Sequence, residues 1–403
     1  MRGQGGGGGL GATAGPATAG VNLLALRGHN AALLLDLLRT AGPDGISRLE
    51  LAERTGLTPQ AVSKITARLR ETGLAAEAGR RASTGGKPRT VLRLVPGAGH
   101  AVGVHLDRDE LRVVLADLDG TAVREERAPL DLGAGAEAVL SAVERGVRGV
   151  VEAVDVVAAV RGVRSAGGGG VGGVAGPPGL RLPTLLGVGV ALPGPLDRAH
   201  GVLHRVTGFP AWDGFPLRDA LAARLGVPVV VDKDTNAAAL GLAVGGEHGS
   251  FAYLHLGTGL GAGLVLGGRV HRGARTGAGE FGHQVLQLDG PPCTCGDRGC
   301  VEALCLAAMR RGDVAEAARV LGAGAANLAG LLDIDQVLLG GRTVAADPGP
   351  FVRGVTAVLA ARAAREGATE SAVPVRLAPG GPLGVATGAA HLLLGRVFGR
   401  TDG

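Results

Sequence analysis

The stretch GEFGHQVLQLDGPPCTCGDRGCVE, residues 279–302, decides how the rest of this sequence is interpreted. It places His283 ahead of three cysteines, Cys293, Cys295 and Cys300. Three thiolates and one imidazole are a complete tetrahedral ligand set for zinc. Because every ligand comes from the protein, the predicted site is closed and structural rather than catalytic. The alternative is a group of free thiols beside an unrelated histidine.

Cysteine usage and hydropathy indicate a protein of a reducing compartment. All four cysteines fall between Cys293 and Cys305, whereas a disulfide framework would spread them along the chain. No apolar run reaches the roughly 18 residues of a membrane-spanning helix, and residues 1–20 lack the apolar segment of a signal peptide. We therefore expect a cytoplasmic protein with no membrane partner, in which Cys305 is a packed core thiol. Because aromatic residues make up only 2%, the core must be built from Ala, Val and Leu.

Positive charge is concentrated near the N-terminus. Residues 21–96 hold twelve Lys and Arg against six Asp and Glu, so this segment carries +6 in a chain of net charge +5. Nearly all of that excess lies between Thr58 and Arg93. A small basic unit on a near-neutral body is typical of a nucleic-acid-binding module joined to another domain. The alternative is a solvated basic face.

Two helices joined by a glycine turn and followed by a basic hairpin predict a winged helix-turn-helix. Ser47 begins one helix with Glu50 as its capping-box partner, and Gly56 ends it. Thr58-Pro59 then begins a helix that extends to about Glu71. The other predicted elements of this unit are a helix over 21–41, strands over 74–78 and 89–94, and a basic wing tip over 79–88.

The helix that begins at Pro59 would enter the major groove of DNA. Polar residues early in such a helix reach base edges, while basic wing residues hold phosphates without reading sequence. We expect Thr66 and Arg70 to point outward from this helix as well. The alternative is a helical hairpin with no role in DNA binding. The candidate DNA-binding residues are Gln60, Ser63, Lys64 and Arg68 on the helix and Arg80, Arg81 and Lys87 in the wing.

From His100 onward, strands alternate with helices, which indicates an α/β body. We expect a disordered Gly-rich tail over 1–20, the winged domain over 21–96, and a body over 97–403 with a Gly-rich surface loop at about 164–182. The predicted strands of the body cover 101–106, 111–117, 185–191, 227–231, 253–257 and 262–266. Its predicted helices cover 136–163, 216–225 and a segment that starts at Thr235.

Several segments resemble the ROK family of repressors, open reading frames and sugar kinases. They are residues 279–302 together with VGVALPGPLD (188–197), VPVVVDKDTNAAALG (227–241) and LHLGTGLGAGLVLGGRV (254–270), in the family's order. The winged helix and the run STGGKPRTVLRLVPGAGHAVGVHLD (83–107) resemble those of ROK repressors. The likeness covers residues 21–403. It implies a body with a two-lobed actin-like (RNase H-like) ATPase fold and a sugar in the cleft.

The resemblance also implies a sugar site, because carboxylates bind paired hydroxyls. Zinc on His283 would fix that ring and the nearby acidic residues. Asp234 stands where family kinases have their general base, but Lys233 replaces the usual Asn and would favour the ionised, less basic form of Asp234. Alternatively, Lys233 points to solvent, and each acidic residue is a solvated surface group. The candidate sugar-binding residues are Lys233, Asp234, Glu280, His283 and Glu302.

The family's two phosphate loops bear on kinase activity, and the first of them distinguishes a kinase from a sensor. The second loop is represented by Gly257, Thr258, Gly259 and Gly261, which could equally form a tight strand-to-strand turn. Family kinases open the body with Asp-x-Gly-x-Thr, but here His105, Asp107 and Asp109 occupy those three positions. Two carboxylates there would repel a polyphosphate, by roughly 4 kcal/mol per charge pair at about 4 Å. The stretch between Glu302 and Leu338, behind the nucleotide, is also shorter than is usual in the family.

The sequence therefore predicts a sugar-responsive DNA-binding transcriptional regulator, a repressor whose kinase-like body senses a sugar or sugar phosphate. Its expected partners are operator DNA and other copies of itself, as a dimer or tetramer, and its expected cofactor is structural zinc. We do not expect it to be an enzyme or to use ATP and Mg²⁺. The alternatives are an ATP-dependent hexose kinase that carries a DNA-binding domain, and a scaffold that binds neither ligand.

Overall fold

The computed structural model describes residues 23–81, 89–160, 182, 184–206, 208–367 and 372–400. Its helices are α1 (Leu23–Thr40), α2 (Arg48–Thr55), α3 (Pro59–Glu71), α4 (Ala136–Val160), α5 (Leu217–Leu225), α6 (Asp234–Val244), α7 (Val301–Arg310), α8 (Val314–Leu332), α9 (Arg342–Ala346), α10 (Pro348–Arg365) and α11 (Gly384–Val397). Its strands are β1 (Ile46–Ser47), β2 (Ala75–Arg81), β3 (Arg89–Leu94), β4 (His100–Leu106), β5 (Glu110–Asp117), β6 (Ala122–Pro129), β7 (Leu185–Leu192), β8 (Leu196–Asp197), β9 (Val202–Leu203), β10 (Val229–Lys233), β11 (Phe251–Leu256), β12 (Leu260–Leu266), β13 (Arg269–Val270), β14 (Gln336–Gly340) and β15 (Val375–Leu377). The predicted tail over 1–20 and most of the insertion over 164–182 lie outside the described residues.

Local capping fixes the helix-turn-helix as the sequence predicts. The Ser47 hydroxyl accepts the backbone N–H of Glu50 at 3.3 Å, and the Glu50 carboxylate accepts the N–H of Ser47 at 2.8 Å. Gly56 ends α2 in the left-handed conformation, with φ 67°. The Thr58 hydroxyl then caps α3 by accepting the N–H of Ala61.

The inner face of α3 differs from the prediction at one position. Val62 and Leu69 are buried, and Thr66 is also fully buried instead of facing outward. Its hydroxyl donates to the Val62 carbonyl at 2.8 Å, so a polar side chain is accommodated in the core without an unsatisfied group. On α2, Leu51 and Ala52 are buried, whereas Leu49 is exposed.

The wing is a three-stranded antiparallel sheet in the order β1-β3-β2. The hairpin pairs Ala75 with Leu94 and continues as far as Arg81 opposite Arg89, beyond the predicted strand end at residue 78. A register shift between Glu77 and Gly79 lets β2 continue into the wing. Lys87 and the rest of the tip over 82–88 lie outside the described residues.

The body consists of two lobes, each built on a five-stranded sheet. The first sheet has the order β10-β7-β4-β5-β6, and the second has the order β13-β12-β11-β14-β15. Helices α4 and α5 cover the outer face of the first sheet. Helices α7, α8 and α10 pack with the second. Parallel pairs β4–β7 and β11–β14 sit beside antiparallel hairpins, so the predicted mixed α/β architecture is confirmed.

Helices α6 and α11 pack against each other in the layer between the two sheets. The close approach of α11 depends on glycine. A Cβ on Gly103 of β4 would lie 1.9 Å from the Ala386 carbonyl oxygen, and one on Gly388 would lie 2.0 Å from that of Ala237. Backbone therefore touches backbone on two sides of α11, which leaves this helix little freedom to shift on its own.

The winged domain packs directly on the end of α11. Asp36 of α1 forms an ion pair with Arg400 at 2.8 Å, and the Arg39 guanidinium lies over the Phe398 ring, 5.3 Å from its centroid. Apolar side chains of α1, such as Leu35, belong to the same buried cluster as Phe398. Across the described part of the chain, no helix is long and apolar enough to cross a bilayer.

Candidate functional site

The candidate site is a cleft where elements of both lobes meet. The first lobe supplies the β4–β5 turn and the start of α6. The second lobe supplies the β11–β12 turn, the loop before the cysteines, and the start of α7. All five candidate sugar-binding residues line this one cleft, although they are spread over about seventy positions of the chain. The charged or polar side chains at the cleft are Asp107, Arg108, Lys233, Asp234, Thr235, His255, Thr258, Glu280, His283 and Glu302.

Lys233 is buried and engaged within the cleft. Its ammonium group donates to the Ala278 carbonyl at 2.6 Å and forms an ion pair with Glu280 at 2.8 Å. Only 2% of the residue is exposed, so the alternative that it points to solvent is wrong. Its charge compensates Glu280 rather than Asp234, and it thereby holds Glu280 at the cleft wall.

A buried acidic residue that the sequence reasoning missed supports this wall. Asp232, the residue before Lys233, is fully buried and forms an ion pair with Arg272 at 2.7 Å. It also accepts the Asn236 side-chain amide at 3.0 Å. The sequence did indicate this residue, because an aspartate inside the apolar run VVVDK must have a charged or hydrogen-bonding partner if that run forms a buried strand.

Glu302 fixes the Gly-rich turn between β11 and β12. It is buried at the start of α7, and its carboxylate accepts the backbone N–H of Leu260 at 2.7 Å. Gly259 lies beside it, since a Cβ there would come 3.0 Å from the Glu302 carboxylate. The turn itself is tight, with the Gly257 N–H donating to the Gly259 carbonyl at 2.9 Å. This loop therefore forms a tight strand-to-strand turn, which is the alternative that the sequence left open.

The predicted metal ligands form one cluster, with their ligand atoms all within 4.8 Å of one another. Cys295 and Cys300 have Sγ atoms 3.7 Å apart, and Cys293 Sγ lies 3.6 Å from His283 Nδ1. Tetrahedral zinc with bonds of about 2.3 Å to sulfur and about 2.0 Å to nitrogen separates such atoms by about 3.8 and 3.6 Å. The geometry therefore fits a metal ion, whereas a disulfide bond would need sulfurs about 2.05 Å apart.

The first phosphate-loop segment is tied to the second lobe. The Thr258 hydroxyl donates to the Asp107 carboxylate at 2.8 Å, and Asp109 forms an ion pair with Arg342 at 2.8 Å. Burial opposes ionisation of Asp107, but His105 and the Thr258 hydroxyl favour its anion, and the pKa of Asp107 lies below its ordinary value. Burial lowers the pKa of His105, so its imidazole is neutral at neutral pH. The two carboxylates therefore have protein partners, Thr258 for Asp107 and Arg342 for Asp109.

Comparisons with known proteins agree with this geometry. A family model described as ROK family matches residues 180–312, and one described as winged helix-turn-helix DNA-binding matches residues 43–75. The chain is 28% identical over 264 residues to the xylose repressor of Caldicellulosiruptor bescii, covering 64% of this chain and 59% of that protein. It therefore spans about three-fifths of that relative's length.

Solved structures extend the match to the whole described fold. A ROK hexokinase from Thermus thermophilus superposes with a TM-score of 0.53 at 29% identity, covering 74% of this chain and 99% of its own. A ROK family transcriptional regulator, a homologue of the Escherichia coli MLC protein, gives a TM-score of 0.62 at 21% identity over 93% of this chain and 99% of its own. The chain contains a ROK family domain and an N-terminal winged helix-turn-helix.

The winged helix presents a polar face on α3. Gln60, Ser63, Lys64 and Arg68 are all exposed on it. Arg70 follows them but forms an ion pair with Glu77 of β2 at 3.0 Å, so it braces the wing. Arg80 and Arg81 belong to β2, which carries the backbone into the wing.

Behind the cleft, the ROK body has a second cavity of about 650 Å³. It lies between the β4–β5 turn, α6, the loop at Gly340-Gly341 and the start of α11. Most of its lining is Ala, Gly, Pro and Leu, and its arginines are already paired, Arg112 with Glu110 and Arg342 with Asp109. The cavity therefore offers space for a ligand but no unpaired cation for a phosphate.

Proposed function

We propose that this ROK protein is a sugar-responsive DNA-binding transcriptional regulator that acts as a repressor. The proposal rests on one observation above all, the direct packing of the winged domain on α11 of a body that contains a sugar cleft. A DNA-facing helix and a ligand cleft are thereby joined in one molecule. The repressor name of the Caldicellulosiruptor bescii relative supports the direction of regulation.

The cleft has the chemistry of a sugar site. Glu280 and Glu302 are each held by one protein partner, Lys233 and the Leu260 N–H, which leaves further lone pairs for ligand hydroxyls. Asp234, at the start of α6, adds a carboxylate to the same cleft. Sites that hydrogen-bond a ligand's hydroxyls reject analogues that lack them, so this donor and acceptor set would select among sugars.

Structural zinc on His283, Cys293, Cys295 and Cys300 would anchor this wall of the cleft. Burial raises the pKa of the Cys300 thiol to about 12, so its thiolate requires a cation at neutral pH. If zinc binds Nδ1 of His283, which lies 3.6 Å from Cys293 Sγ, Nε2 would carry the ring proton and could donate to a sugar hydroxyl. A bound zinc ion would supply rigidity and no reaction step.

Sugar-kinase activity is not part of the proposed function. Phosphoryl transfer requires a seat for the phosphates and Mg²⁺, and here Asp107 and Asp109 fill that region and bind Thr258 and Arg342. One specific observation favours the alternative, since a cavity of about 650 Å³ lies behind the cleft, beside Asp107 and the Gly340-Gly341 loop, and has room for a nucleotide. ATP turnover is measured in the presence of a sugar that binds. Turnover of roughly 1 s⁻¹ or faster would establish the hexose kinase instead.

We propose that the protein works in the cytoplasm as a homodimer or tetramer on operator DNA. Winged helices that read two half-sites usually do so as symmetric dimers, with half-sites about one helical turn apart. The cysteine cluster fits a reducing compartment, because three thiolates must stay unoxidised to bind zinc. Light scattering of the DNA complex measures the number of copies directly.

The decisive test is sugar-dependent DNA binding. Duplexes selected from a random pool supply the operator, and fluorescence anisotropy measures its Kd with and without xylose, glucose or N-acetylglucosamine. We expect Lys64→Ala and Arg68→Ala on α3 to weaken binding about tenfold, with Arg319→Ala on the exposed face of α8 as the matched control. A chain lacking residues 1–96 that keeps full operator affinity would contradict the proposal.

A further inference from the structure

Arg108 is the cleft residue whose charge the protein leaves uncompensated. It follows Asp107 in the β4–β5 turn and lines the cleft, partly buried. Within the described ranges, no carboxylate forms an ion pair with its guanidinium and no side-chain hydrogen bond to it is found. By contrast, the other cleft cation, Lys233, is paired with Glu280.

The guanidinium of Arg108 is held in place by packing. It lies over the ring of Phe209, 5.8 Å from the ring centroid. On its other side is the β11–β12 turn, where a Cβ on Gly259 would come 3.4 Å from Nη2 of Arg108. Phe209 belongs to the first lobe and Gly259 to the second, so the cation lies where the two lobes meet. An arginine stacked in this way is pre-oriented to present its planar fork to an anion.

The carboxylates of the cleft are largely engaged elsewhere. Glu280 is paired with Lys233, Glu302 accepts the Leu260 N–H, and Asp107 accepts the Thr258 hydroxyl. Asp234 accepts the N–H of Thr235 and retains lone pairs toward the cleft. A ligand that fits this arrangement offers hydroxyl groups to the carboxylates and an anionic group to the Arg108 guanidinium.

We infer that the effector is an anionic sugar, whose phosphate monoester or carboxylate binds the Arg108 guanidinium. Both groups accept two parallel hydrogen bonds from an arginine fork, and charge-assisted bonds of this kind are about twice as strong as neutral ones. Neutral sugars would meet the same hydroxyl-binding residues but leave Arg108 without a partner. The inference rests on the proposed sugar response and assigns the chemical class of its ligand.

The test compares neutral sugars with their anionic forms on the full zinc-loaded chain. Calorimetry measures Kd for glucose, xylose and N-acetylglucosamine, for the terminal phosphate ester of each, and for glucuronate. We expect at least one anionic form to bind roughly ten- to hundredfold tighter than its neutral parent, which is the worth of a charge-assisted contact of about 1.5–3 kcal/mol. The phosphate and glucuronate arms then tell the two kinds of anion apart.

Variants at position 108 separate recognition from folding. Arg108→Gln should weaken binding of the anionic form far more than binding of its neutral parent and so abolish the preference, while Arg108→Lys should retain part of the preference. Arg205→Gln, an exposed arginine of the same lobe outside the cleft, is the matched control. Equal binding of neutral and anionic sugars, or an equal loss of both in Arg108→Gln, would overturn the inference alone. Failure of every sugar to bind would instead refute the proposed sugar response.

Discussion

The ion pair between Lys233 and Glu280 joins partners of very different burial, 3% and 45% exposed. We predict that Glu280→Ala destabilises the protein more than Lys233→Met does. The first change leaves a buried ammonium without its counter-ion, which costs about 3–5 kcal/mol. The second leaves a carboxylate that water can reach, which costs about 1 kcal/mol. Urea unfolding measures both, and Arg319→Ala gives the baseline for breaking an exposed pair.

Equal losses of unfolding free energy for the two variants would contradict this prediction. That result would mean that water reaches the Lys233 ammonium in the folded protein. Other contacts, such as those of the loop from His283 to Cys300, would then hold the cleft wall in place.

His391 on α11 predicts a pH dependence of stability. Burial, with a smaller contribution from Arg39 and Arg400, lowers its pKa from 6.5 to about 4. Between these values the unfolded chain binds a proton that the folded chain does not, so stability falls as pH drops from about 6.5 toward 4. The full loss is roughly 3 kcal/mol. We expect His391→Asn to flatten the unfolding free energy over pH 4.5–6.5, and an unchanged slope would count against this role.

At the scale of elements, the loop from His283 to Cys300 contains no α-helix or β-strand. We therefore expect a metal ion to order it. We predict one zinc per chain and its loss in Cys295→Ser, with sugar affinity falling at least tenfold because Glu280 and Glu302 flank this loop. Elemental analysis and calorimetry measure the two effects. Cys305→Ser is the matched control, since that thiol is buried and donates to the Ala317 carbonyl away from the cluster. Zinc content unaffected by Cys295→Ser would exclude the predicted ligand set.

At the scale of the whole molecule, α11 connects the ligand side of the body to the winged domain. Its first turn lines the cavity behind the cleft, at Gly384 and Val385, and its last turn leads to Phe398 and Arg400 against α1. Because backbone contacts lock α11 between the lobes, a change in lobe closure should reach the winged domain through this contact.

We therefore predict that Asp36→Asn and Arg400→Gln each reduce the effect of a sugar on operator affinity. The two Kd values measured separately, for sugar and for DNA, should stay within about twofold, because neither residue lies in the cleft or on the exposed face of α3. The double variant should add little to either single one, as expected for two partners in one contact. Anisotropy titrations with and without sugar measure this coupling. A sugar response unchanged in both single variants would show that the signal takes another route.

The sequence by itself determined the features that depend on neighbours a few positions apart. The capping box at Ser47, the glycine end of α2 and the Thr58-Pro59 start of α3 are set by backbone groups within one helical turn. The four metal ligands belong to one short loop, so their spacing already predicted the cluster. The alternation of strands and helices likewise predicted the α/β body, because side-chain periodicity is a local property.

Only the tertiary structure decided which groups meet across the two lobes and the two domains. Lys233 pairs with a residue 47 positions away, Thr258 reaches Asp107 across 151 positions, and Arg400 reaches Asp36 across 364 positions. Sequence patterns do not show such partners, so the sequence identified no partner for Asp107 and did not decide whether Lys233 points into the cleft or to solvent. The burial of Thr66 was also not visible in the sequence, since it depends on how α3 packs in the winged domain. Burial and low dielectric then fix each pairing, because a buried charge or hydroxyl is stable only where the fold supplies its partner.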